Sequence, residues 1–187
     1  NHISDSSYDE DKQWDGLSEF GVEVVREMNR LGIMVDISHV SDAAFWDVME
    51  VTTAPAIASH SSARHFTPGW ERNIDDDMII GLAENGGVVM INFFNDYVNR
   101  VDSIRSAERS AVRKQLEERF AGDKQKVKAE LRRWEVRNPR SDLCTVHDVV
   151  DHVEHVIKIA GIDHVGLGSD FDGVPVVPRQ LEDVSTY

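Results

Sequence analysis

Residues 17–39, LSEFGVEVVREMNRLGIMVDISH, carry the pattern that decides the fold. Phe20, Val24, Val25, Met28 and Leu31 recur at helical spacing, and Gly32 stops the run. Ile33-Met34-Val35 follows as an unbroken apolar stretch, continues into Asp36-Ile37 and ends on Ser38-His39. A helix, a break and a short apolar strand with a polar carboxyl end form the repeating unit of a parallel sheet covered by helices.

The unit recurs. Ser41 is a suitable N-cap for a helix to about residue 51, and Ala56-Ile57-Ala58 follows as a strand. Asp75 caps a helix to about Glu84, closed by Gly86-Gly87, and Val88–Phe94 reads as the next strand. Thr145 caps a helix through Ala160, closed by Gly161. The pattern thus predicts strands at 33–37, 56–59, 88–94 and 164–168. Four such units make half of an eight-stranded barrel, which usually needs about 250 residues. An open doubly wound sheet stays available on pattern alone.

Composition narrows the function classes. The chain has 187 residues, 34 acidic and 20 basic, for a formal charge of −14, the reverse of what a phosphate-neutralising nucleic-acid binder needs. No stretch has the unbroken apolar length of a transmembrane helix. The single cysteine, Cys144, excludes an intrachain disulfide and a multi-cysteine zinc site. The chain starts at Asn1 with no leader-like segment, so it is expected to be an excerpt of a longer polypeptide. Residues 102–142 stand apart, with 12 basic against 8 acidic residues. Val112, Leu116, Phe120, Val127, Leu131 and Trp134 give this segment amphipathic helical spacing, and Gly122-Asp123 is expected to split it into two helices. It reads as a solvated helical insertion, with a lid or subunit contact as the alternative.

Each expected strand runs into polar residues at its carboxyl end: Asp36-Ile37-Ser38-His39, then Ser59-His60-Ser61-Ser62, then Asn92 with Asn95, Asp96 and Tyr97, then Ser169-Asp170-Phe171-Asp172-Gly173. Active sites of parallel α/β proteins assemble on that edge. His39 and His60, at the ends of neighbouring strands, either converge on one metal ion or serve as hydrogen-bonded strand ends. Asp170 and Asp172 alternate about Phe171, so an extended backbone would aim both at the mouth. A carboxylate there can take a proton from water and pass it on. Asp172 also fits an Asp-Gly turn. Arg72 suits either a substrate carboxylate or a surface ion pair. His147, His152 and His155 are read as a solvated helix face, and His2, His65 and His164 have no assigned role.

Taken together, GLSEFGVEVVREMNRLGIMVDISHVS (16–41), APAIASHSS (54–62), ERN (71–73), NFFNDY (92–97) and GSDFDGVPVVPRQLEDVSTY (168–187) resemble the renal (membrane) dipeptidase family, the M19 metallopeptidases. The stretches fall in family order and cover most of the chain outside 102–142. The resemblance implies an α/β fold, a metal-dependent (β/α)8 barrel of which this chain would be the C-terminal part. It also implies a two-Zn2+ site that hydrolyses dipeptides; some relatives accept D-residues or β-lactams. By the same resemblance His39 and His60 match two zinc ligands and Asp170 the proton-moving carboxylate. Arg72 matches the residue that binds the substrate's terminal carboxylate, Tyr97 a wall of the substrate pocket, and Asp172 is left to shape its loop. The family's His-x-Asp pair, bridging Glu and carbonyl-polarising histidine have no counterpart here and are expected upstream.

The expected partner is a dipeptide, a homodimer being allowed, with no nucleic acid. Alternatives are another metal-dependent barrel amidohydrolase acting on cyclic amides or phosphoesters, and a non-catalytic relative of the dipeptidase fold. A half-barrel with open edges is expected to aggregate when expressed alone.

Overall fold

The computed structural model describes residues 2–121, 123–139 and 144–187. Helix α1 (Glu19–Leu31) starts where Ser18 Oγ accepts from Gly21 N. Helix α2 (Asp42–Val51) starts on Ser41, whose Oγ accepts from Ala44 N. Strand β1 (Ile57–Ser61) leads through a 3-10 turn, Arg64–Phe66, to α3 (Asp76–Glu84), capped by Asp75. Strand β2 (Val88–Ile91) follows, then the single turn α4 (Asn95–Val98) and the long helices α5 (Arg100–Arg119) and α6 (Lys124–Arg137). Helix α7 (Val146–Ala160), opened by a capping box between Thr145 and Asp148, returns the chain to β3 (Val165–Leu167). The caps expected at Ser41, Asp75 and Thr145 all form, because each side chain satisfies a backbone N–H that the first helical turn leaves unpaired.

The three strands are parallel and lie in chain order, β1-β2-β3. The order runs without a reversal, as in an arc of a (β/α)8 barrel. The stretch at 33–37 is not a full strand. It joins β1 through a bridge at Asp36 and two bonds, Ile37 N to Ile57 O at 2.8 Å and Ile57 N to Val35 O at 2.9 Å. The expected strand 88–94 is regular only to Ile91; Asn92 N and Phe93 N still reach Ser61 O and Ser169 O at 3.3 Å, and the chain turns at Phe94, whose N donates to Asn92 Oδ1 at 2.6 Å.

Ala58, Val89 and Ile91 on one face of the sheet join Phe45 and Val48 of α2, Ile79 and Leu82 of α3, and Val149 and Val156 of α7 in one core. Burying side chains such as Phe45, Ile79 and Leu82 contributes about 1.5–3 kcal/mol each. The other face, with Ile57, Val88 and Met90, is only half-buried. Helix α7 departs from its expected reading. His152 shares the buried stripe of Val149 and Val156, spaced three and four residues away, and is fully buried. Its Nδ1 accepts from Ala63 N at 3.0 Å and its Nε2 donates to Val98 O at 3.1 Å, so α7 is pinned to β1's exit and to α4. His147 alone of the three is exposed.

The charged segment forms two helices. Gly122 lies outside the described residues, and Asp123 caps α6 by accepting from Lys126 N. Val127 and Leu131 are buried between the pair, which Arg109 and Glu135 also join at 2.7 Å. No helix among the described residues is long and apolar enough to cross a membrane.

Candidate active site

The turn after residue 37 and the end of β1 bring two imidazoles together. Asp36 Oδ1 accepts from Ser38 N at 3.0 Å and from Ser59 N at 3.1 Å, locking the two segments side by side. His39 then sits in the left-handed region, φ 74°, where a non-glycine residue is uncommon. That conformation turns its ring towards His60, and the two Nε2 atoms lie 2.9 Å apart.

Hydrogen bonding sets the tautomers. Ser59 Oγ donates to Asp36 Oδ2 at 2.5 Å and lies 2.6 Å from His60 Nδ1. A hydroxyl has one proton, and the carboxylate takes it, so His60 Nδ1 supplies the proton of the second bond. His60 Nε2 is thereby left as a lone pair. Arg72 Nη2 lies 3.3 Å from His39 Nε2 and can only donate, so it competes with the 2.9 Å His60 contact for that nitrogen. Burial, then the Arg72 guanidinium and His60, push His39 down to about 4, and burial and Arg72 lower His60 as well. Asp170 and Asp36 pull both the other way. Two neutral imidazoles whose Nε2 atoms meet at 2.9 Å are a donor set for a transition-metal ion such as Zn2+, which would stand in for the proton between them. Asp36-Ser59 behind His60 is the outer hydrogen-bonding shell such a ligand needs.

Arg72 is 3% exposed. Nη1 donates to Ser61 Oγ at 2.8 Å and Nη2 to His60 O at 2.7 Å, while Nε is buried with no partner. Among the described residues no carboxylate forms an ion pair with it, so the surface-pair alternative fails. The guanidinium lies 5.0 Å over the Tyr97 ring, a cation–π contact. A buried cation with an orphaned donor is a strong anion site. Tyr97, on α4, is buried, and its hydroxyl lies 2.5 Å from that of Tyr8. Burial and the Tyr8 hydroxyl hold the Tyr97 phenol well above its usual range, so it stays protonated. Beside it opens a cavity of about 610 Å3, walled by Tyr8, Trp70, Phe94 and Tyr97 and, from α5, Arg105 and Arg109. The helical insertion therefore contributes one wall of this cavity.

Asp170 follows β3. Its Oδ2 accepts from Asn92 Nδ2 at 3.1 Å, which ties it to the end of β2. The expected alternation of Asp170 and Asp172 does not occur. Asp170 has φ 59°, and its carbonyl accepts from Gly173 N at 2.9 Å and Val174 N at 3.1 Å, closing a turn with Asp172 exposed at its tip. Two glycines make room for this. A Cβ at Gly173 would stand 2.1 Å from Asp170 Oδ1, and one at Gly168 would stand 2.1 Å from Ser59 O.

His39, His60, Arg72, Tyr97 and Asp170 are thus brought to one strand-end edge. Sequence reading named Asp36, Ser59 and Asn92 only as polar strand ends, without their roles behind His60 and beside Asp170, and missed Tyr8 against Tyr97. It also missed Asn73, which is fully buried, accepts from Ser62 N and donates to Tyr97 O at 2.7 Å, joining β1's exit to α4. The ERN triplet and the Asp-x-Ser-His run were the available signals. A second group of metal-ligating side chains, His65, Asp76 and His155, gathers elsewhere.

A parallel sheet in chain order, with imidazoles, a carboxylate and a buried guanidinium on its carboxyl edge, defines an α/β protein of the metal-dependent barrel class. The sequence profile of membrane dipeptidase, peptidase family M19, matches residues 1–187, and the chain belongs to that family. It is 44% identical over 172 residues to an uncharacterized dipeptidase of Schizosaccharomyces pombe, covering 92% of this chain and 32% of that protein. Among solved structures, the probable dipeptidase PvdM of Pseudomonas aeruginosa matches with a TM-score of 0.81 and 26% identity, over all of this chain and 52% of that one. A metallopeptidase of Rhodobacter sphaeroides, liganded with a phosphinate mimic of the dipeptide L-Ala-D-Ala, matches with a TM-score of 0.68 and 30% identity, over 93% of this chain and 39% of that one. The chain therefore spans about a third to a half of the length of these relatives.

Proposed function

We propose that this chain supplies part of the active site of a zinc-dependent dipeptidase, with His39 and His60 as metal ligands. Asp170 acts as the proton carrier, and Arg72 with Tyr97 receives the substrate's free C-terminal carboxylate. The observation that carries the reading is that a paired-imidazole site and a buried guanidinium, with no carboxylate partner among the described residues, share one wall, 3.3 Å apart. That spacing suits a substrate with an anionic end close to its scissile bond. The dipeptide mimic bound by the Rhodobacter relative belongs to the same substrate class.

Zinc at such a site supplies Lewis acidity, making a water nucleophile available near neutral pH. The chain's own residues do the rest. Asp170, oriented by Asn92, takes the proton from the attacking water and returns it to the leaving amine. Arg72 fixes the substrate carboxylate through the donor that its neighbours leave free. Tyr97 supports the guanidinium from below. The Asp36-Ser59 pair holds His60 in the tautomer that keeps Nε2 available.

Arg72→Met should raise KM for a dipeptide at least tenfold more than for its C-terminal amide, with Arg72→Lys intermediate. Equal changes for both substrates would remove the anchor role, and hydrolysis of longer peptides as fast as dipeptides would remove the dipeptidase reading.

A further inference from the structure

His65, Asp76 and His155 come from three separate elements: the 3-10 turn after β1, the first residue of α3 and the middle of α7. One donor atom from each lies within 4.8 Å of the other two. His155 Nε2 is 2.7 Å from Asp76 Oδ1, and the His155 side chain is only 11% exposed. The His65 ring stacks on that of His155 with centroids 4.3 Å apart and planes 21° from parallel, so their ring edges run side by side. Phe66 meets both rings edge-on, at 4.9 and 5.6 Å. An open groove of about 590 Å3, lined by Phe66, Asp151, Glu154, His155 and Lys158, gives access from solvent.

We propose that this cluster is a second, peripheral transition-metal site, separate from His39 and His60. Two imidazoles and one carboxylate select Zn2+ or a similar ion over Mg2+ or Ca2+, which favour oxygen donors. Zinc–nitrogen bonds of about 2.0–2.1 Å place tetrahedral ligand atoms about 3.4 Å apart, so a donor at the 4.8 Å limit moves inward while the 2.7 Å His155–Asp76 pair opens slightly. The exposed His65 provides the inward movement, and the half-exposed Asp76 carboxylate provides the small opening. The site has a mechanical meaning. His65 and Asp76 stand at the two ends of the loop that carries Arg72, and His155 belongs to the helix beneath it. An ion there clips both ends of that loop to α7, and the open fourth position leaves it exchangeable.

The test uses the purified protein with its resident metals in place, titrated with Zn2+ by calorimetry and checked by elemental analysis. His65→Asn removes one donor at an exposed position, and His147→Asn removes an exposed histidine of α7 outside the cluster. The wild type and His147→Asn should each take up one zinc equivalent that His65→Asn binds at least tenfold more weakly. Added zinc should also raise the melting temperature of the first two but not of the third. Equal uptake by the wild type and His65→Asn would overturn the proposal and leave an ordinary His–Asp contact. Equal loss in His147→Asn would overturn it as well, as scattered surface binding. Neither result depends on dipeptidase activity.

Discussion

Removing the Ser59 hydroxyl tests the hydrogen-bond relay behind His60 directly. Ser59 Oγ makes two short contacts, 2.5 Å to Asp36 Oδ2 and 2.6 Å to His60 Nδ1. In Ser59→Ala the half-buried Nδ1–H loses its acceptor and the imidazole loses the constraint on which nitrogen carries the proton. Leaving such a donor unpaired costs about 1–3 kcal/mol. If that cost falls on the metal-competent tautomer, zinc affinity drops about 10- to 100-fold, the range seen when outer-shell partners of ligating histidines are lost. Ser59→Thr keeps the oxygen and suits a strand, so it should bind zinc as the wild type does. Zinc affinity is measured by competition with a chromophoric chelator, alongside circular dichroism to establish that the fold is kept. Unchanged affinity in a folded Ser59→Ala protein would refute the relay and the tautomer argument built on it.

Three further outcomes follow from the geometry. Gly173→Ala places a methyl 2.1 Å from Asp170 Oδ1, so it should lower kcat at least tenfold while metal content by elemental analysis stays the same. Gly168→Ala drives a methyl to 2.1 Å from Ser59 O, and should lower the melting temperature by the equivalent of about 1–3 kcal/mol, the usual cost of overpacking. His152, lowered from 6.5 to about 4 chiefly by burial, takes up its proton in the unfolded chain first. The stability it contributes is complete above pH 6.5 and lost as pH falls towards 4, by at most about 3 kcal/mol. Denaturant melts of the wild type and His152→Asn across that window should differ in slope; parallel curves would contradict the neutral buried histidine.

Sequence pattern exposed most of the scaffold because its signals are local. Ser41, Asp75 and Thr145 satisfy amide donors within three residues, so their helices start where the cap chemistry requires. Strand lengths were less legible, since the Asn92 side chain turns the chain at Phe94 through a bond that an apolar run does not reveal. The edge carrying His39, His60 and Asp170 could be read because barrel-type sheets gather chemistry at strand ends. Their orientation could not. His39 and Asp170 both occupy left-handed backbone, which only the surrounding contacts impose. His152 was misread although Val149 and Val156 share its stripe; a polar residue on an apolar face has to be judged by the partners waiting for it, here Ala63 N and Val98 O.

The chain-order sheet bears on how the protein tolerates change in length. Twenty-six residues separate β1 from β2, whereas 73 separate β2 from β3, the difference being mostly the α5–α6 excursion. Closure entropy grows only with the logarithm of such a span, so the longer detour costs about 0.9 kcal/mol more than the shorter one. Lengthening or trimming that arm should therefore alter the walls of the Tyr97 cavity while the register that aligns β1, β2 and β3 stays fixed, so that the cavity's shape can change independently of the strand-end edge.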